Sequence, residues 1–403
     1  MKILIIAGNA RSLIANRGDL IAAMKAAGHQ VSALVPAHDA LPELDQLGIT
    51  YDLIGLDRRK MNPLGDLRHL LELCKAIRRH KPDVVFSYTI KPVIYGSLAA
   101  RLTGVQTITS MITGLGYLFT GTSRKQRLGQ TIARILYRIA LPCNQTVFFQ
   151  NPDDLALFQS RRLLGRKTKT VMTSGSGVHL ERFPYAEISS ESTSKAGIRF
   201  LLIARFLQDK GILEYAEAAK ILHRDYPDVV FQLLGPYDQN LAHALTQEQV
   251  DTIKQEGHLE LLEATKDVRP FLQACSVYVL PSYREGTPRT VLEAMATGRP
   301  IITTDAPGCR ETIRPPMPDY SNHGVHGDTE DTRHPSPDTP ILPLGTNGIL
   351  IPPQDAQSLA EAMRFFIDDP EQIASMGRAA RQYAEERYDV HKVNAIMLEA
   401  MGL

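Results

Sequence analysis

The sequence has 403 residues, of which 43% are hydrophobic and 22% charged, a composition typical of a globular protein with enough chain for two domains. The apolar run after Met1 is too short for a secretory signal, and no stretch approaches the roughly 18 apolar residues of a membrane-spanning helix. The four cysteines are scattered without a CxxC pair. We therefore expect reduced thiols in a cytoplasmic protein, not a disulfide or zinc framework.

Charge is divided unevenly, although the net charge is only +1. Residues 1–175 carry 24 Lys and Arg against 11 Asp and Glu, which leaves 21 against 33 for the remainder. No acidic residue lies between Asp83 and Asp153. This asymmetry indicates an N-terminal half that faces an anionic partner. The alternative is that the two halves attract each other across a cleft.

Strand and helix patterns alternate along the chain. In the first half they predict elements at Lys2–Ala7, Arg17–Ala27, Val31–Val35, Leu67–His80 and Asp83–Ser87. A polar segment that we expect to be a linker, Ser189–Lys195, follows. The pattern then restarts with elements at Arg199–Ala204, Ile212–His223, Val229–Leu234, Val277–Pro281 and Pro288–Thr297, and the run Leu359–Tyr388 is helical by its spacing.

This order predicts an α/β protein of two doubly wound Rossmann-like domains that face a cleft, with ligands at the carboxyl ends of the strands. The expected domains are residues 1–188 and 196–375, followed by C-terminal helices at 376–403 that cross back to the first domain. The segment Arg314–Asn347 holds seven prolines without periodicity and interrupts the second domain. It is either a surface insertion or a lid or oligomer contact.

Motifs of several other enzyme classes are absent. The first strand ends in Gly8-Asn9-Ala10-Arg11, which is not the GxGxxG of dinucleotide-binding proteins, although Gly8 stays a candidate donor-binding residue. The sequence also lacks HExxH, GxSxG, GxxxxGK[ST] and a DxD pair. Because the twelve histidines are dispersed, we predict no metal site.

Two cations follow the strand Arg199–Ala204. Arg205 comes directly after it, and Lys210 precedes Gly211 at the start of the next helix. A diphosphate suits this pair, because the planar guanidinium binds two oxygens, the ammonium adds a compact charge and glycine lets the backbone approach. Taken alone, two solvated surface cations are the alternative.

The segment 280–298 predicts a strand that leads through a loop into a short helix. Thr287 is a good N-cap residue, and Pro288 suits the first helical position. Gly298 is the residue expected just beyond the helix end. The helix should therefore span about residues 288–297.

The start of this helix is a predicted anion site. Its N–H groups at Arg289, Thr290 and Val291 would be free at the carboxyl end of a strand. Glu285 lies just before them and Glu293 just after, where carboxylates can accept hydrogen bonds from two sugars, the donor hexose and the ribose. A glutamate pair on a solvated helix face is the alternative.

These residues resemble the family 4 retaining glycosyltransferases, which have the GT-B fold and are marked by two glutamates eight residues apart, here Glu285 and Glu293. The family's arginine and lysine for the donor diphosphate correspond to Arg205 and Lys210. The resemblance covers nearly the whole chain, and Gly286 and Thr287 belong with the same donor-binding segment.

Four segments resemble one subgroup of the family, which adds N-acetylgalactosamine or a similar hexose to polyprenyl-diphosphate-linked sugars in bacterial glycan assembly. They are Ser87–Gly96, Thr113–Tyr117, Pro281–Arg289 and Pro307–Thr312. The resemblance implies a UDP-sugar donor, a lipid-linked or glycan acceptor, retention at the anomeric carbon, and no metal or other cofactor. The domain 1–188 would then bind the acceptor and 196–375 the nucleotide sugar.

The resemblance also implies roles for the predicted site residues. Arg205 and Lys210 would stabilise negative charge on the leaving diphosphate, whose oxygen accepts the proton of the acceptor on the same face. Glu285 would hold a hydroxyl of the transferred sugar, and Glu293 the ribose. Arg205, Lys210 and Glu285 are therefore the predicted catalytic residues.

Three features depart from the family. Residues 84–152 contain no histidine, although many relatives place one near the donor sugar, so Thr113–Tyr117 is expected to line that space. His179 stands where relatives usually have the aspartate of Gly-Val-Asp. The insertion at 314–347 has no expected counterpart.

The segment Tyr117–Leu141 is basic and amphipathic, which predicts peripheral association with an anionic membrane. The alternative is a packed helix whose basic face meets solvent or the acidic second domain. The competing enzyme class is a UDP-sugar epimerase of the UDP-GlcNAc 2-epimerase type, and a non-enzymatic nucleotide-binding module is a third possibility. Nucleic acid is not an expected partner, because the basic half lacks an aromatic-basic strand motif.

Overall fold

The computed structural model describes residues 1–37, 42–56, 63–114, 124–188, 197–241, 243–316 and 344–403. Two compact units divide the chain. Unit 1 comprises Met1–Arg182, Arg284–Leu292 and Glu385–Leu403, and unit 2 comprises Phe183–Tyr283 and Glu293–Ala384. The predicted linker Ser189–Lys195 and residues 317–343 of the predicted insertion lie outside the described residues.

The described strands and helices are, in chain order, as follows. The strands are β1 Lys2–Ile6, β2 Gln30–Pro36, β3 Thr50–Ile54, β4 Val84–Tyr88, β5 Thr107–Ile112, β6 Thr146–Phe149, β7 Lys169–Met172, β8 Arg199–Ile203, β9 Val230–Leu234, β10 Glu260–Leu262, β11 Val277–Leu280, β12 Ile301–Thr304, β13 Leu344–Gly345 and β14 Gly348–Ile351. The helices are α1 Ala10–Ala26, α2 Pro63–His80, α3 Ser97–Leu102, α4 Arg124–Ala140, α5 Pro152–Ser160, α6 Ile212–His223, α7 Gln247–Glu256, α8 Arg269–Ala274, α9 Arg289–Thr297, α10 Ala356–Asp368, α11 Glu371–Tyr383 and α12 Val390–Met401. Among these described helices, none combines the length and the apolar content that crossing a bilayer needs.

The sheet of unit 1 is parallel throughout, with the strand order β3-β2-β1-β4-β5-β6-β7. Its central strand β1 is a continuous apolar run after Lys2, and Ile3–Ile6 is fully buried, as expected for a strand covered on both faces. The chain order reverses between β1 and β4. The carboxyl ends of these two strands therefore flank the topological switch point, where ligands of such sheets bind.

The sheet of unit 2 has the order β10-β9-β8-β11-β12-β14-β13, and only its edge strand β13 is antiparallel. The order reverses between β8 and β11, which pair in parallel at Val277 with Phe200 and at Tyr278 with Leu201. The prediction of two doubly wound Rossmann-like domains is confirmed by these two sheets. The two predicted donor-binding segments follow β8 and β11, so both begin at this second switch point.

Helix α1 begins at Ala10, seven residues before the predicted start at Arg17. The side chain of Asn9 caps it, because its Oδ1 accepts a hydrogen bond from the N–H of Ser12 at 3.1 Å. The apolar face begins with Ala10 and Leu13, which are buried. The prediction missed this first part, since it followed only the later apolar spacing.

The boundary of unit 1 differs from the predicted domain end at 188, because residues 183–188 pack with unit 2. Arg381 donates to the carbonyl oxygen of Phe183 at 3.0 Å, and the N–H of Ala186 donates to the carbonyl of Thr297 at 3.1 Å. Ile188 contacts the apolar core of unit 2.

The C-terminal return begins later than the predicted residue 376. Met376 packs in the core of unit 2, whereas Met397 and Met401 of α12 pack in the core beneath β1 and β2 of unit 1. The helical run predicted at Leu359–Tyr388 contains α10 and α11, which Asp369 and Pro370 separate, and a π-helical turn at Ala384–Tyr388.

Candidate active site

In unit 2, the turn after β8 is fixed against the loop after β11. Gly211 has a left-handed backbone (φ +69°), and a Cβ there would overlap the carbonyl oxygen of Pro281. The N–H of Tyr283 donates to the carbonyl of Asp209 at 2.9 Å, and its hydroxyl donates to Glu214 Oε1 at 2.6 Å. The turn that carries Lys210 therefore has one position relative to β11.

The two predicted cations occupy different environments in this turn. Arg205 is exposed two residues after the end of β8, while Lys210 is half-buried at the end of a short 3₁₀ segment. Glu293, in the part of α9 that belongs to unit 2, is only 7% exposed. Glu293 is therefore not a residue of a solvated helix face, which was the alternative from its spacing.

The segment Arg284–Leu292 belongs to unit 1, although unit 2 precedes and follows it in the chain. The side-chain amide of Asn151 donates to the carbonyl of Gly286 at 3.2 Å, and the hydroxyl of Thr287 donates to the carbonyl of Gln150 at 3.3 Å. These bonds fix the backbone directly after Glu285.

An ion pair between Arg284 and Asp154 anchors the same segment. The carboxylate of Asp154 is fully buried and also accepts a hydrogen bond from Asn151 Nδ2 at 3.1 Å. Burial raises the pKa of the Asp154 carboxyl above its ordinary value, and the Arg284 guanidinium partly offsets this effect. Loss of Arg284 would leave a buried charge without its main partner, which is strongly destabilising.

Close backbone contact also holds Glu285 and Gly286. A Cβ on Gly286 would lie 2.5 Å from the carbonyl oxygen of Thr113 and would overlap the side chain of Gln150. The next residue, Gly114 with φ +93°, is also close, since a Cβ on it would lie 2.8 Å from the N of Gly286. Of the predicted segment Thr113–Tyr117, residues 115–117 lie outside the described residues.

The start of α9 differs from the prediction in two respects. The helix begins at Arg289, one residue later than expected. The N–H of Val291 donates to the carbonyl of Pro288 at 3.1 Å, so it is not a free donor. The first turn tightens onto Pro288, which removes Val291 from the predicted set of anion-binding N–H groups. Arg289 and Thr290 are half-buried in the same turn.

A buried arginine of α1 supports this turn. Arg17 is 2% exposed, and its Nη1 donates to Asn16 O at 3.0 Å and to Ser176 Oγ at 3.1 Å. Its guanidinium lies 5.1 Å from the ring centroid of Tyr88. Arg289 Nη1 in turn donates to Asn16 Oδ1 at 3.3 Å. Burial lowers the pKa of Arg17 to about 10, and the nearby charge of Arg289 adds to this effect.

Gly8 lies at the switch point of unit 1, at the carboxyl end of β1. A Cβ there would overlap the hydroxyl of Thr89, which follows β4 in a left-handed conformation (φ +69°). A π-helical turn, Pro92–Gly96, begins three residues later. Strained residues and π turns are frequent at functional sites, so Gly8 stays a candidate donor-binding residue and Thr89 joins it as a candidate.

Two side chains of α2 tie down the segment Ser87–Gly96. Lys91 Nζ pairs with Asp66 Oδ1 at 2.8 Å, and both side chains are 14% exposed. His69 contacts the ring of Tyr95 edge-on at 5.9 Å between centroids, and its Nδ1 donates to the carbonyl of Gly55 at 2.8 Å. This packing fixes the strained turn to the body of unit 1.

His69 should make stability depend on pH. Burial lowers its pKa below the ordinary value of about 6.5. Between the lowered pKa and that value the unfolded chain binds more protons, so stability falls as the pH decreases through this window, by about 1.4 kcal/mol for each pKa unit separating the two states. Urea unfolding at pH 7.5 and 5.5 should show a smaller decrease for His69→Gln than for the wild type. Equal decreases would contradict this assignment.

Comparison with known families decides the identity of the chain. A "Glycosyl transferase 4-like domain" matches residues 16–174, and "Glycosyl transferases group 1" matches residues 197–331. The N,N'-diacetylbacillosaminyl-diphospho-undecaprenol alpha-1,3-N-acetylgalactosaminyltransferase of Campylobacter jejuni is 28% identical over 74% of this chain and 78% of the relative. The chain belongs to the family 4 glycosyltransferases.

Other matches agree with this assignment. A second relative is the UDP-Gal:alpha-D-GlcNAc-diphosphoundecaprenol alpha-1,3-galactosyltransferase of Escherichia coli. Its sequence is 29% identical to this chain, over 62% of this chain and 65% of the relative. Sucrose-phosphate synthase from Thermosynechococcus elongatus superposes with a TM-score of 0.75 at 16% identity, covering 99% of this chain and 98% of that one. Anabaena HepE in complex with UDP and glucose gives 0.71 at 20% identity, with 100% and 99% covered. These structures confirm the GT-B fold.

Several residues of the glycosyltransferase were not predicted to belong to the site. Asn151 and Asp154 form a helix N-cap, in which Asn151 Oδ1 accepts from the N–H of Asp154 at 2.8 Å, and such a motif gives no sign of a distant partner. Arg17 did offer a signal. It lies four residues after Leu13 and three before Leu20, so it falls on the buried face of α1.

Proposed function

We propose that this glycosyltransferase moves a hexose or N-acetylhexosamine from a UDP-sugar to a polyprenyl-diphosphate-linked glycan acceptor, with retention and without a metal. The supporting observation is the turn that carries Lys210, which Gly211 and Tyr283 fix at the switch point of unit 2. A preorganised cation at this place suits a leaving diphosphate. Both curated relatives described above act on diphospho-undecaprenol-linked sugars by name, and one uses UDP-Gal.

In the proposed mechanism, unit 2 stabilises the negative charge of the leaving group. Arg205 and Lys210 stabilise the charge that grows on the leaving UDP as the sugar–oxygen bond breaks. The leaving phosphate oxygen accepts the proton of the acceptor hydroxyl on the same face, so the new bond keeps the anomeric configuration. Glu285 holds a hydroxyl of the transferred sugar, and Glu293 holds the ribose.

A donor and acceptor screen tests the proposal. Purified protein in EDTA is incubated with UDP-, GDP- and ADP-sugars and with a synthetic polyprenyl-diphosphate-linked sugar, and lipid products are detected by mass spectrometry. We expect a lipid lengthened by one sugar with UDP-sugars only, and an alpha linkage by NMR from an alpha-linked donor. A beta linkage or a strict metal requirement would contradict the mechanism.

A parallel incubation with UDP-sugar alone separates the alternatives. An isomerised UDP-sugar would identify an epimerase, and donor binding without turnover in any mixture would identify a nucleotide-binding module. The relatives named above are transferases, which favours the first expectation.

Helix α4 supports peripheral membrane binding as part of the same function. Its exposed face carries an apolar stripe at helical spacing, with Leu128 63%, Ile132 36%, Ile135 55% and Ile139 56% exposed. Arg127 and Arg138 are exposed on the same helix. An apolar stripe with neighbouring cations suits insertion into the surface of an anionic bilayer. Tyr117 to Ser123 of the predicted segment lie outside the described residues, as do the side chains of residues 124–126.

Helix α2 carries a second exposed stripe on unit 1. Leu64, Leu67 and Leu71 are 80%, 54% and 62% exposed at a spacing of one helical face. Both α2 and α4 pack on the π turn Pro92–Gly96, so the two stripes belong to one region of unit 1. This region would place the carboxyl edge of β4 close to a lipid-linked acceptor.

Replacing Ile135 and Ile139 together with aspartate should weaken binding to anionic vesicles by about tenfold or more, because two half-exposed isoleucines would no longer bury their apolar surface. Flotation with liposomes measures this change. Ile396→Asp is a matched control, since Ile396 is 46% exposed on α12. Equal flotation of the double variant and the wild type would favour the packed or solvent-facing alternative for α4.

A further inference from the structure

Three metal-binding side chains of unit 1 lie together. One ligand atom from each of His179, Glu181 and His391 lies within 4.8 Å of the other two, and this is the one such group of three found in the described part of the chain. His179 Nδ1 is 3.7 Å from Glu181 Oε2. The imidazole rings of His179 and His391 are 5.6 Å apart between centroids.

The backbone fixes the two histidines relative to each other. Val178 and Asp389 form a parallel β-bridge, in which the N–H of Val178 donates to Tyr388 O at 2.7 Å and the N–H of Val390 donates to Val178 O at 3.1 Å. Asp389 then caps α12 by accepting from the N–H of His391 at 2.9 Å. His179 therefore follows the bridge residue Val178 directly, and His391 lies two residues after the bridge residue Asp389.

The side chains are close to a coordination geometry. Zinc binds imidazole nitrogen and carboxylate oxygen at about 2.0–2.2 Å, so neighbouring ligand atoms of a tetrahedral site are about 3.4 Å apart. The observed 3.7 Å between His179 and Glu181 is too long for a hydrogen bond and close to this ligand spacing. His179 Nδ1 is buried and has no hydrogen-bond partner among the described residues. Rotation of the exposed Glu181 and His391 side chains would complete the site.

We propose that His179, Glu181 and His391 bind a divalent transition-metal ion, with Zn²⁺ as the best match to two imidazoles, one carboxylate and an open fourth position. The ion would clasp the C-terminal segment Glu385–Leu403 onto the loop after β7. The site lies outside the proposed chemistry of sugar transfer, and water would fill the fourth position. The sequence prediction of no metal site rested on the dispersion of the histidines, which the fold brings together at this point.

Isothermal titration of the EDTA-treated full-length protein with ZnCl₂ tests the site. We expect one ion for each chain, and binding at least tenfold weaker for His391→Ala and for Glu181→Gln. The matched control is His258→Ala, because His258 and His223 are also close, at 4.7 Å between ring centroids, yet no third ligand joins them within the described ranges of the chain. The control should bind Zn²⁺ as the wild type does.

Hydrogen exchange locates the effect of the ion. Zn²⁺ should slow amide exchange in residues 385–403 of the wild type and leave the His391→Ala variant unchanged, with circular dichroism verifying that both are folded. Wild-type affinity in His391→Ala, loss of binding in the His258→Ala control, or one ion shared by two chains would each overturn the proposal. Full sugar transfer in His391→Ala is expected, which keeps this test separate from the proposed function.

Discussion

Replacing Lys210 with alanine should lower kcat by about two to three powers of ten. The turn that carries Lys210 is held against the loop after β11, because Gly211 packs on the carbonyl of Pro281 and the N–H of Tyr283 donates to the carbonyl of Asp209. The ammonium would stabilise charge that appears only as the sugar leaves, so kcat should fall much more than KM changes. Initial rates of UDP release at saturating donor and acceptor measure the effect.

Lys220→Ala is the matched control for this variant. Lys220 lies on α6 in the same unit and pairs with Glu256 at 2.7 Å on the surface. Removal of an exposed ion pair has a small energetic effect, so turnover should be nearly unchanged. If Lys210→Ala keeps full turnover, Lys210 has no catalytic role, and the fixed turn would serve the fold alone.

Replacing Gly286 with alanine should lower kcat/KM by about a hundredfold, because displacement of a reacting group by about 1 Å costs this much. The added Cβ would stand 2.5 Å from the carbonyl oxygen of Thr113, which is backbone and cannot rotate away. The peptide that carries Glu285 would have to shift instead. Steady-state kinetics of the folded variant measure the loss.

Gly18→Ala separates this steric effect from a general effect of losing a glycine. Gly18 lies within α1, and among the described residues a Cβ there would meet only Leu47, at 3.7 Å, an ordinary contact. Alanine in a helix interior stabilises it by about 0.5–1 kcal/mol relative to glycine. Gly18→Ala should keep full activity. Full activity in Gly286→Ala as well would show that the position of Glu285 is not critical.

Much of the fold followed from the sequence because its central strands are buried on both faces. Such strands are continuous apolar runs, and β1, β8 and β11 were predicted within one residue of their observed ends. The edge strands β3 and β7 have partly exposed side chains and no such run, so the sequence gives little sign of them. Buried polar contacts were harder to predict, since the spacing of Arg17 places it on the buried face of α1 but does not identify its distant partners, Ser176 and Tyr88.

The candidate site could be predicted only where its residues are neighbours in sequence. The segment Glu285–Glu293 and the pair Arg205 and Lys210 are local patterns. The contacts of Asn151 and Asp154 with the segment Arg284–Leu292 join residues more than a hundred positions apart, and no short-range pattern specifies them.

The division of the chain has a practical consequence for protein engineering. Unit 1 is assembled from three separate stretches, and the one in the middle, Arg284–Leu292, carries the partner of the buried Asp154. A chimera made by joining the first half of one transferase to the second half of another would therefore combine a carboxylate from one parent with an arginine from the other. Recombination between relatives should succeed only when residues 284–292 and 385–403 are exchanged together with residues 1–182.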